Sequence, residues 1–208
     1  MFDIDPSEDW NGGAGWDLVE TDPIKAEAPY TFFTPSKAEL ALLQPGDRVQ
    51  VGFAPSGQPG MAAERLWVEL SDHSDGLWHC HADDARPAGV PQTFDIHAGH
   101  IWAVGKCRVD TLEEEARYLA NAFIDPAILT AGARVSWLQR CLPPVRSGPY
   151  AETGWCAYGP MGERPLDQLF HGPIGLLLNK DDSMMALLRA PVGARITRWS
   201  NGWRVETD

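Results

Sequence analysis

No apolar run in this chain approaches the ~18–20 residues that a membrane-spanning helix requires, so no bilayer segment is expected. Cys80, Cys107, Cys141 and Cys156 lie far apart and form no Cys-x-x-Cys pair. They read as reduced, mostly buried thiols of a cytosolic protein. There is no Gly-x-Ser-x-Gly elbow for serine hydrolysis. A Walker loop and a Rossmann glycine pattern are missing too. Positive charge is scarce, with 17 Lys and Arg against 29 Asp and Glu, for a net charge of −12. Such a surface repels nucleic acid and anionic membranes, and neither is an expected partner. It favours a basic protein partner, steered by a field that weakens as salt rises. Solubility alone would also explain the surplus. The first residues, Met1-Phe2-Asp3-Ile4-Asp5-Pro6, are acidic where an export signal is basic, so the expected compartment is the cytoplasm.

The chain does have apolar material. Of 208 residues, 44% are hydrophobic and 22% charged, which is enough for a core in one large domain or two small ones. Residues 1–28 read as a lead-in arm, rich in acids, glycines and prolines, with Trp10 and Trp16 as the residues that would pack. Ser36 to Leu43 reads as a short helix with Ser36 as cap and Glu39 completing a capping box. Val49, Val51 and Phe53, then Leu66, Val68 and Leu70, alternate with polar residues at the period of half-buried strands. Ser71–Gly76 turns the chain into a hairpin partner at Leu77–His81, and a further strand pair is expected around 92–96 and 100–104.

From Thr111 the pattern changes. Thr111-Leu112-Glu113-Glu114 is a capping box, predicting a helix that reaches Phe123. Asp125-Pro126 starts another short helix. Val135–Leu138 suits a strand, and the apolar run Ile174–Leu178 reads as a buried strand. Asp182 caps a helix that Pro191 ends. The tail, 194–206, reads as a hairpin turning at Asn201-Gly202, with Trp199 and Trp203 paired across it. The resulting architecture is α+β with two small domains. The first, 29–108, is a β-rich, barrel-like or curled antiparallel sheet with a short helix. Residues 109–124 form a helical connector, and 125–208 a mixed α+β sheet ending in a hairpin.

Two resemblances follow from particular segments. Tyr30-Thr31-Phe32, Gly46-Asp47-Arg48-Val49, Glu64-Arg65-Leu66-Trp67-Val68-Glu69, Phe94 and His100-Ile101 together resemble the bacterial family catalogued as unknown-function domain 2314, over roughly 29–104. The chain departs from that pattern at His81-Ala82-Asp83-Asp84-Ala85. Gly132-Ala133-Arg134-Val135, Glu152-Thr153-Gly154-Trp155, Leu187-Leu188 and Pro191-Val192-Gly193 resemble immunity-protein family 33 (unknown-function domain 2185), over about 124–199. Here Glu152-Thr153 stands for that family's Asp-Ser pair. The second resemblance implies a small bacterial α+β domain found near toxin–immunity genes, with no established catalytic role and with a structural tryptophan at Trp155.

Candidate chemistry is sparse. His79 and His81 would share one strand face and could hold zinc if His73, His97 or His100 joined them. A surface histidine pair explains them as well. Cys156 and His171 lack the surroundings of a nucleophile and its base. Glu113-Glu114-Glu115 sits where acids favour a helix dipole. Trp67 lies on the face opposite Leu66, Val68 and Leu70, between Arg65 and Glu69, packed under a neighbour or presented as a contact. The favoured function is a non-enzymatic binding module without a cofactor, such as an immunity-type protein that neutralises a toxin. Its candidate contact residues are Trp67, Arg65, Glu69, Glu152 and Trp155. The alternative is a metal-dependent hydrolase on the His79/His81 face.

Overall fold

A computed structural model describes residues 15–57, 63–83, 85–105, 112–145 and 148–206, with side chains from Glu115 onward in the helix that begins at 112. Trp10, Asp84, Cys107, the Thr111 cap and the side chains of Glu113 and Glu114 lie outside the described residues. The fold is α+β, with two separate six-stranded sheets and few helices. Contacts divide the chain into two units, 1–26 with 34–111 and 27–33 with 112–208.

The first unit is a curled antiparallel sheet of β1 (Trp16–Leu18), β2 (Arg48–Pro55), β3 (Glu64–Ser74), β4 (Leu77–Ala82), β5 (Thr93–Ile96) and β6 (Ile101–Val104). Its order is β1-β2-β3-β4-β5, and β6 pairs with β2 along the edge that β1 also uses. The period-two residues Val49, Val51, Phe53, Val68, Leu70, Cys80 and Ile96 all point into one core. Segment 92–104 yields two strands as read, but they do not pair with each other: β5 joins β4 and β6 joins β2. Residues 16–27 of the arm are more regular than its composition suggests. Trp16 lies in β1, edge-on to Phe53 with ring centroids 4.9 Å apart, and α1 (Thr21–Glu27) follows. Burying that indole against a phenylalanine outweighs the local glycines. The Ser36 capping box forms as read and starts α2 (Lys37–Ala41).

The second unit holds α3 (Leu112–Tyr118), β7 (Asn121–Ile124), α4 (Pro126–Thr130), β8 (Trp137–Arg140), β9 (Glu152–Tyr158), β10 (Phe170–Pro173), α5 (Ile174–Leu178), a 3₁₀ segment (Asp182–Arg189), β11 (Arg195–Trp199) and β12 (Gly202–Glu206). The sheet order is β10-β7-β9-β8-β11-β12, parallel only between β7 and β9. Three expectations are corrected here. The helix from 112 stops at Tyr118, because 121–124 is recruited as a strand between β9 and β10. Ile174–Leu178 is a helix, not a strand: Ile174, Gly175, Leu177 and Leu178 are all buried, and a short apolar run reads alike in either form. In the terminal hairpin Trp203 faces Arg198 and Trp199 faces Gly202, so the two tryptophans do not pair.

Residues 27–33 belong to this unit rather than to the first. The Tyr30 N–H donates to Asn179 Oδ1 (3.0 Å), and Asn179 Nδ2 donates to Thr31 Oγ1 (2.7 Å). Tyr30 also packs edge-on against Tyr118. The segment crosses α5 at Gly175, where a Cβ would lie 2.1 Å from the Tyr30 carbonyl oxygen.

Candidate functional site

Alternation in β3 turns Arg65, Trp67 and Glu69 to the outer face of the first sheet while Val68 and Leu70 fill the core. The register then builds a surface around them. Gln50 stands beside Trp67, Gly52 beside Arg65, and Arg48 and His81 flank Glu69 on either side. The register of β6 on β2 shifts at Gln50/Val51, from Ala103 to Ile101, and the ring of the intervening Trp102 covers Gly52. A Cβ at Gly52 would come 2.5 Å from Trp102 Cζ2, so only glycine admits the indole. The Arg65 guanidinium lies over that ring, 4.8 Å from its centroid. Trp67 itself is 38% exposed and borders a depression of about 470 Å³ with Asp47, Arg48 and Gly105. An indole at this position costs little rotamer entropy to immobilise and offers a large contact area.

His79 and His81 do share this face, each with its own neighbour. His79 Nδ1 is 2.8 Å from Asp95 Oδ1, and His81 Nε2 lies 3.4 Å from Gln92 Nε2. Neither belongs to the three-residue group with the spread of a metal site, which among the described residues is Glu20, His97 and His100. The His-x-x-His spacing was visible in the sequence, whereas Glu20, remote in the chain, carried no local signal.

Hydrogen bonds assign this group a different character. The Gly99 N–H donates to His97 Nδ1 (3.0 Å), and the His97 N–H donates to His100 Nδ1 (3.3 Å). An Nδ1 that accepts carries no proton, so each neutral ring holds its proton at Nε2. Both Nε2–H groups then donate to Glu20 Oε1, at 3.0 and 3.1 Å. The two rings lie against each other at a tilt of 37°, with centroids 3.9 Å apart. A bound cation would need the Nε2 lone pairs that this arrangement protonates. The cluster is a proton-bridged tie between the α1 entry and the turn at 98–100. Burial is the main cause lowering the His100 pKa, followed by the neighbouring His97, with Glu20 pulling the other way.

The two candidates on the second unit are interior residues. Trp155 is 2% exposed and its ring carries the Arg140 guanidinium at 5.5 Å, so it presents no surface to a partner. The Glu152 side chain is 8% exposed and lies 3.0 Å from His171 Nε2, while Asn121 Nδ2 donates to it at 3.3 Å. It ties β9 to β7 and β10. Cys156 and His171 occupy one row of that sheet with Phe123 between them. Burial pushes the Cys156 thiol up to about 12, and the Cys80 thiol likewise, far from the range of a nucleophile at neutral pH. Cys141 is a free, exposed thiol.

Charge is distributed unevenly. The first unit has 17 acidic against 7 basic residues, net −10, and the second 12 against 10, net −2. No helix among the described residues is long and apolar enough to cross a membrane. No family model matches the chain, and no curated protein or solved structure matches it.

Proposed function

We propose that this chain is a non-enzymatic binding protein that captures a basic protein on the outer face of its first sheet, in the manner of a toxin-neutralising immunity protein or an accessory interaction module. One observation carries the reading: Trp67 is exposed at the centre of an ordered strand face, with Arg65 and Glu69 on either side, in the unit that holds most of the excess negative charge. A central aromatic with a polar rim is the usual anatomy of a binding hot spot. The acidic field would steer a cationic partner and suppress acidic ones. The resemblance of Glu152-Thr153-Gly154-Trp155 and Pro191-Val192-Gly193 to immunity-protein family 33 supports the immunity-type form of the reading. Cytoplasmic residence agrees with Cys80, Cys141 and Cys156, which are free thiols among the described residues.

The test is affinity capture from the source cell's lysate, with the full chain and a Trp67→Ala variant as baits at low and at moderate salt. The expected result is one basic protein retained by the parent, weakened by salt and lost by the variant, while both baits melt alike. Retention that Trp67→Ala leaves intact would overturn the assignment of this face.

A further inference from the structure

In the second unit, two adjoining cavities of about 450 and 410 Å³ have Arg134 and Arg198 in common. Three separate elements converge on them. Arg134 follows the turn that leaves α4 through Gly132, Lys180 stands just beyond α5, and Arg198 projects from β11. The Arg198 guanidinium is fixed in place. Its Nη2 bonds Asp181 Oδ2 and Ser183 Oγ, and its plane lies over the Trp203 ring, 4.2 Å from the centroid. Its Nε–H, by contrast, is buried with no acceptor. A buried donor left unpaired is unfavourable and marks a place where an acceptor belongs. The side chains of Arg134 and Lys180 are exposed and make no hydrogen bond or ion pair among the described residues. Among the described lining residues Asp181 is the one acid, against the cations Arg134, Lys180 and Arg198, which leaves a surplus of two positive charges.

We propose that this cleft binds the phosphate dianion of a small phosphorylated molecule. Two surplus charges match a dianion, where a carboxylate would neutralise only one. Arginine forks also suit the tetrahedral oxygens of phosphate. Trp199, 53% exposed, borders the same cavity and offers a flat surface to the organic part of an ester. This site lies on different residues from the Trp67 face and does not depend on it.

The experiment titrates the full chain with inorganic phosphate, with adenosine monophosphate and with adenosine. Tryptophan emission and the melting temperature are the readouts. Saturable quenching and a raised melting temperature are expected with phosphate or its ester and not with adenosine, and the comparison of the two tells the free ion from the ester. The affinity for the ester should strengthen as pH rises through about 6, where its phosphate gains its second charge. Arg134→Ala and Lys180→Ala should each weaken binding about tenfold with the ligand-free melting temperature unchanged, since neither side chain has a partner to lose. Absence of saturable binding, or curves that neither substitution shifts, would overturn the proposal.

Discussion

Trp155 owes its position to the residue before it. Gly154 has φ +74, and a Cβ there would sit 2.2 Å from the Cys141 carbonyl oxygen, so backbone sterics alone demand glycine. The resulting bend ends with Thr153 Oγ1 donating to the Asn121 carbonyl and accepting from the Trp155 N–H, which sends the indole into the core. Truncating so large a buried side chain costs roughly 3–5 kcal/mol. Denaturant unfolding of Trp155→Ala should therefore show the second unit destabilised by about that amount, with the first unit's transition unmoved; a parental curve would refute the core assignment. His100 makes a different kind of prediction. Its pKa is lowered in the folded protein, chiefly by burial, so the unfolded chain binds more protons just below the usual value of about 6.5. The stability contributed by the neutral ring is present above that value and declines as pH falls below it. Melting followed from pH 7.5 down to 5.5 should show a loss that is shallower in His100→Gln. Equal slopes would mean that the Glu20–His97–His100 tie does not sense protons.

Among the elements, those defined by short-range chemistry could be read before any coordinates. The Ser36 capping box, the alternation of β2 and β3 and the presence of the terminal hairpin each depend on residues a few positions apart. The hairpin nevertheless turns at Ser200-Asn201 and not at Asn201-Gly202, since Gly202 already pairs with Trp199. The elements misread were those whose form is decided from elsewhere. Asn121–Ile124 has nothing in its own sequence to distinguish it from a helix continuation; pairing with β9 and β10 decides it. Ile174–Leu178 is apolar enough to be buried in any form, and Pro173 with the segment crossing at Gly175 settles it as a helix. That crossing is the least legible feature of all, because Tyr30 and Asn179 are 149 positions apart. Asn179→Ala removes both hydrogen bonds to the segment, at a cost of about 1–3 kcal/mol. Amide exchange should report it as loss of protection at Tyr30. Unchanged protection there would show that Gly175 and the Tyr30–Tyr118 contact hold the segment unaided.

For the whole molecule, the α+β character, with a curled antiparallel sheet in the first half and a mixed sheet in the second, followed from the residue pattern, since each half carries its own apolar set. The site was only partly legible. Period two placed Arg65, Trp67 and Glu69 together on one outward face, and the structure keeps them there. The same logic could not mark Glu152 as interior, because a His171 partner two strands away decides its burial. The glycine before Trp155, by contrast, signals a tight bend that turns the indole inward, and Trp155 is buried. Nor could it assemble Arg134, Lys180 and Arg198, which come from three elements. The segregation of charge, −10 against −2, is a further property of the whole, and it makes the first unit the electrostatic target for a cation. The most direct measurement is a hydrogen-exchange footprint of the full chain with its captured partner. Protection should appear across Glu64–Ser74 and Leu77–Ala82, with indole accessibility lost at Trp67. A footprint confined to Arg195–Glu206, or none on the first unit, would contradict the account.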